Sequence, residues 1–175
     1  MANNIQNFDL FEGDVFDKVV QYEVVKKSRG FNIVMSNGFV EHFSNFTESL
    51  MVHKTFCKPG GLVVVSVPNL NSKINDFFNT DEVRSICNNE VMDINYLRSV
   101  KCDGLELMYS DFYGGPFNIG LFHYQNKLLE SVRTLFFGFQ RLIIEPLLIS
   151  LSWCNIKFNN QHTSPAIIMI YRRTK

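Results

Sequence analysis

The stretch from Phe31 to Pro68 constrains this 175-residue chain most strongly, because it reads as one complete strand–helix–strand unit. Phe31-Asn32-Ile33-Val34-Met35 is a short apolar run bounded by Gly30 and by Ser36-Asn37-Gly38, which predicts a strand buried on both faces. Asn45, with Glu48 three residues on, has the form of a capping box. Phe46 to Phe56 mixes Phe46, Leu50 and Val52 with Glu48, Ser49, His53 and Lys54, the pattern of an amphipathic helix of about three turns. Lys58-Pro59-Gly60-Gly61 is expected to stop that helix. Leu62 to Val67 is continuous and β-branched, as a central parallel strand should be. Ligands of such sheets bind beyond the carboxyl ends of the strands, and the polar cluster Ser36, Asn37, Glu41 and His42 sits at that end.

SNGFVEHF, a helix, and then KPGGLVVVSVPN resemble the middle of a class I S-adenosylmethionine-dependent methyltransferase. In that family the fourth strand ends in a polar turn followed by Glu-His, and Lys-Pro-Gly-Gly precedes the fifth strand. Upstream, Phe8 to Asp17 resembles the third strand and its acidic turn. The resemblance implies an α/β fold: a Rossmann-like, mostly parallel sheet with an antiparallel last strand and helices on both faces. It also implies S-adenosyl-L-methionine as cofactor. Asp14 would accept from the adenine amino group, Val15 would offer backbone contact beside the ring, Ser36 and Asn37 would lie against the donor, and His42 would be the general base. Methyl transfer from a sulfonium is an in-line displacement helped mainly by positioning, so a base is needed only where the acceptor must lose a proton.

Each of these residues also has a structural reading. Asp14 can be a turn former, Glu41 can serve a helix dipole, and His42 can be a satisfied, partly buried histidine. His53, His123 and His162 have no spacing that suggests a metal site. The family's glycine-rich GxGxG turn and the acid that binds the ribose are both missing from the sequence. The family's strand order runs third, second, first, fourth, fifth, seventh, sixth, so a chain without the first two strands should expose an edge of the fourth.

The remaining elements follow in order. Ile5 to Glu12 can be a strand, and Val15 to Ser28 is expected to be a helix because a parallel strand needs a long connection. Asn69 to Lys73 is a polar loop. Asn79 with Glu82 opens a short helix through Cys87, Asp93 to Cys102 a second one ending at Gly104, and Leu105 to Tyr113 alternates as a half-buried strand. From His123 to Trp153 runs a wide apolar stripe. Arg133, Gln140, Arg141 and Glu145 interrupt it and Pro146 should kink or break it, so no integral membrane span is expected. The stripe either packs on the sheet or serves as a lid, a subunit contact or a surface for a lipid-like substrate. Pro165 to Tyr171 is the last strand, and Arg172 to Lys175 a solvated tail.

Residues 1–175 thus read as a single, partial domain with a helical insertion at about 123–153. Seventeen basic residues balance seventeen acidic ones, which disfavours a nucleic-acid footprint and leaves a small molecule as the expected methyl acceptor. Cys57, Cys87, Cys102 and Cys154 form no CxxC pair and are expected to be reduced thiols. The amino terminus has no basic or apolar leader, so the cytoplasm is the expected location. Association with a second copy, through the open sheet edge or the insertion, is a further expectation. A non-catalytic remnant or partner subunit is the alternative function. Another nucleotide-dependent doubly wound enzyme lacks its phosphate-binding glycine loop here.

Overall fold

A computed structural model describes residues 9–69, 71–72, 85, 87–114, 127–153 and 159–175. Helix α1 (Lys18–Ser28) is capped by Asp17, whose side chain accepts from Val19 N. Strand β1 (Phe31–Asn37) follows, then a 3-10 turn, Val40–His42, and helix α2 (Phe46–Phe56). Asn45 Oδ1 accepts from Glu48 N at 3.1 Å, so the expected cap is made. Strand β2 (Cys57–Pro68), a 3-10 turn (Asn89–Met92), helix α3 (Ile94–Ser99) and strand β3 (Leu105–Tyr113) come next. Helix α4 (Lys127–Phe139), a π-turn (Gln140–Ile144), helix α5 (Glu145–Trp153) and strand β4 (Ala166–Arg173) complete the order.

The four strands form one mixed α/β sheet in the order β1-β2-β4-β3. β1 runs parallel to β2, while β4 lies between β2 and β3 and is antiparallel to both. Register puts Val34, Val63, Tyr171 and Leu107 in one row and Ser36, Val65, Met169 and Ser110 in the next. This face carries the core: Val63, Val65, Val67, Ile167, Met169 and Tyr171 pack with Phe46 and Leu50 of α2 and Ile94 and Leu97 of α3. Burial of these apolar side chains is the main driving force of the fold. The described core lies on this one face, so helices on both faces are not seen among the described residues. On the opposite face Ile33 is 60% and Met35 73% exposed.

Several expectations are corrected. β1 is not buried on both faces; it is the sheet's edge, and only β2 pairs with it among the described residues. Asp9 to Glu12 is not a strand and pairs with no strand among the described residues, and residues 5–8 lie outside them. Lys58 to Gly61 does not end α2. The helix stops at Phe56, Cys57 N donates back to His53 O and Lys54 O, and the chain enters β2 at once. Pro59 is tolerated because the pairing jumps from Phe31↔Cys57 to Ile33↔Leu62, which leaves it inside a bulge.

α3 ends at Ser99 rather than Cys102, since Cys102 bridges to Leu105 and Gly104 serves that tight turn. Arg173 belongs to β4 rather than to a solvated tail, and its Nη1 donates to Lys54 O at 2.9 Å and also to Cys57 O. A cation there complements the carbonyl end of α2. Pro146 does not break the insertion: α4, the π-turn and α5 run on without interruption. The widened π-turn lies directly before the proline, where a normal turn would clash with its ring. The stripe is not packed on the sheet either. Leu135 is 80% and Leu142 79% exposed, because a helix's apolar periodicity says which face wants cover but not what supplies it. Of the helix expected from Asn79 through Cys87, residues 79–84 and 86 lie outside the described residues. Cys57, Cys87 and Cys102 are free thiols, and Cys154 lies outside the described residues.

Candidate functional site

Alternation along β1 turns Val34 and Ser36 toward α2, and the helical repeat turns Val52, His53 and Phe56 back toward them. These five residues, with Val15, Met35 and Phe39, line a cavity of about 230 Å³. Val34, Met35 and Ser36 are consecutive and point to alternate faces, so the cavity runs along the free edge of β1.

His53 is the central polar group. It is buried, its Nδ1 lies 2.6 Å from Ser49 O, and its Nε2 lies 2.8 Å from Ser36 Oγ. A carbonyl can only accept, so Nδ1 carries the proton and Nε2 accepts from the Ser36 hydroxyl; this tautomer is assigned from the network. Desolvation pushes the His53 pKa down, with the bond to Ser49 opposing it, and the imidazole is therefore neutral at physiological pH. Among the described residues no carboxylate orients His53, so the pair lacks the third member of a hydrolytic triad there. It presents a fixed hydroxyl and a neutral ring to a mostly apolar cavity.

An aromatic chain ties the segment before α1 to this cavity. Phe16 packs on Phe43 at 4.8 Å between centroids, Phe43 on Phe39 at 4.8 Å, and Phe39 meets the His53 ring edge-on at 6.0 Å. Val15 is placed there as a consequence, and its carbonyl accepts from Gln21 Nε2 at 2.8 Å. Asp14 is exposed next to it and forms the turn anticipated as its structural reading. Its Oδ1 accepts from Phe16 N at 2.9 Å, and its carbonyl accepts from Asp17 N at 3.0 Å.

Of the residues singled out from the sequence, Val15 and Ser36 meet in the cavity. Asn37 ends β1 and is exposed, and His42 sits exposed on the 3-10 turn; neither lines the cavity. Glu41 is buried at 2% exposure, and its Oε2 has no hydrogen-bond partner among the described residues. Burial pushes its carboxyl pKa up, against the opposing effects of its own backbone N–H and of His42. His53 was not legible as a site residue, although its i, i+4 spacing from Ser49 and the even spacing of Val34 and Ser36 were in the sequence. Asn69, at the start of the polar loop after β2, is a clasp: its Nδ2 donates to Gln161 O at 2.9 Å and to Ser164 O at 2.8 Å. Among the described residues no group of three or more His, Cys, Asp or Glu could hold a metal ion.

No family model and no curated protein matches this chain. Among solved structures it is similar to a SAM dependent methyltransferase from Archaeoglobus fulgidus, with a TM-score of 0.42 and 17% identity, covering 95% of this chain and 68% of that one. At that level the likeness assigns no residue of the site.

Proposed function

We propose that this chain is the carboxyl-terminal portion of an S-adenosylmethionine-dependent methyltransferase acting on a small-molecule acceptor, incomplete by itself. The observation behind this reading is the sheet: β1-β2-β4-β3 with β4 antiparallel has the order and orientation of the family's fourth, fifth, seventh and sixth strands. The cavity lies along the free edge of β1, where a first strand would pair. Its residues suit the adenine end of the donor. Val15 and Phe39 supply apolar walls, Ser36 a hydroxyl, and Asp14 an exposed carboxylate beside them. The described residues offer nothing for the donor's ribose or amino-acid ends. When bound, the donor would supply an activated methyl group; the chain's part would be to hold the adenine and, through His42, to take a proton from the acceptor.

Calorimetric titration with S-adenosylhomocysteine tests the reading. Binding by the chain is expected to be weak, to drop at least tenfold in Asp14→Ala, and to tighten when a segment carrying the missing glycine-rich turn is supplied. Binding that ignores both changes would refute it. The second reading, a non-catalytic partner subunit, is favoured by the open β1 edge with Ile33 and Met35 exposed beside it. A donor site that no added segment restores, together with stable capture of another chain at that edge, would decide for it.

A further inference from the structure

The window Thr134–Leu151 has a mean hydropathy of 1.4, yet only 6% of it is buried. Leu147 and Ile149 of α5 are 56% and 55% exposed. Two residues apart on an α-helix point about 200° apart, so no single partner helix could cover both. A helix apolar all round belongs in a protein core or in lipid, and this one is not in the core. By length and composition the window could cross a membrane, but the sheet forbids a single crossing. Tyr113 at the end of β3 pairs with Ala166 at the start of β4, so the insertion leaves and re-enters the sheet at one place. Lys127–Trp153 is about 40 Å long. A span would put its ends on opposite sides of the bilayer, and the return would fall to residues 114–126, GGPFNIGLFHYQN, or to residues 154–165, CNIKFNNQHTSP; each is shorter than the roughly 20 residues a second spanning helix needs, and each carries polar residues unsuited to the hydrocarbon core.

We propose that α4 and α5 dock this protein on a lipid bilayer as one helix lying in the plane of the interface, with the Leu135–Leu142 stripe and α5 sunk to the acyl boundary. α4 is amphipathic and α5 apolar, so the carboxyl-terminal half sits deeper. The chain's formal net charge is zero, and insertion of apolar side chains rather than attraction to anionic headgroups drives the contact.

The test is flotation of the full chain with unilamellar vesicles of phosphatidylcholine and phosphatidylglycerol, three to one, and of phosphatidylcholine alone. The native chain is expected to float with both, to stay bound in high salt and to be released by alkaline carbonate. Leu135→Asp/Leu142→Asp is expected to lower partitioning at least tenfold while its thermal midpoint holds, since both side chains are exposed. Failure of the native chain to float, accompanied by self-association that the double substitution abolishes, would assign the stripe to a second copy and overturn the proposal. Resistance to carbonate would overturn the in-plane placement.

Discussion

Gly61 provides a sharp test of how β1 is held. A Cβ built on it falls 2.8 Å from Asn32 O, 2.8 Å from Cys57 Sγ and 2.9 Å from Lys58 O. Two of these atoms are backbone and the third is the buried Cys57 sulfur, so relief requires moving the bulge or β1 itself. Overpacking of this kind costs about 1–3 kcal/mol. Gly60 next to it is the control: its φ is +79°, but an added Cβ meets nothing within 4 Å, so Gly60→Ala costs only the left-handed penalty of about 1 kcal/mol. With a urea slope of about 2 kcal/mol/M, Gly61→Ala should lower the unfolding midpoint by about 1 M and Gly60→Ala by about half that. β1 also holds Ser36 2.8 Å from His53, so Gly61→Ala alone should disturb the His53 ring resonances in NMR. A Gly61→Ala protein with the native midpoint, or with a loss no larger than that of Gly60→Ala, would refute the close-approach argument.

Two further outcomes follow from the buried groups. Glu41 has a folded pKa raised above its ordinary 4.5 by burial, so the fold is favoured below that value and loses stability as pH rises through the folded pKa. Glu41→Gln should therefore match the native chain near pH 4 and exceed it at neutral pH by on the order of 1 kcal/mol; an equal offset at both pH values, read from urea midpoints, would discard this account. Leu50, fully buried between α2 and the sheet, should cost about 2–5 kcal/mol when cut to alanine, and a thermal melt showing less than 1 kcal/mol would mean that the core collapses around the gap.

Local chemistry made much of this protein legible in its sequence. The cap at Asn45, the β-branched run of β2 and the alternating β3 are set by groups within a few residues of one another, and they appear where the residue types place them. Asn45 accepts from Glu48 N; the cap at Asp93, which accepts from Asn95 N and Tyr96 N, is seen in the structure. The sheet order could be anticipated only because the motifs around Ser36–His42 and Lys58–Gly61 resemble a family whose order is known.

Tertiary structure decided the rest, because burial depends on what lies opposite. Nothing local distinguishes His53, buried against Ser36, from His42, exposed eleven residues earlier. The strand β1 reads as fully covered, yet edge placement leaves Met35 exposed. Glu41 reads as a carboxylate serving a helix dipole, yet the turn that holds it folds it inward, with no partner for Oε2 among the described residues. The insertion's stripe declares an apolar face, but only the pairing of Tyr113 with Ala166 ties both of its ends to one place, and that closure determines how such a helix can meet a membrane.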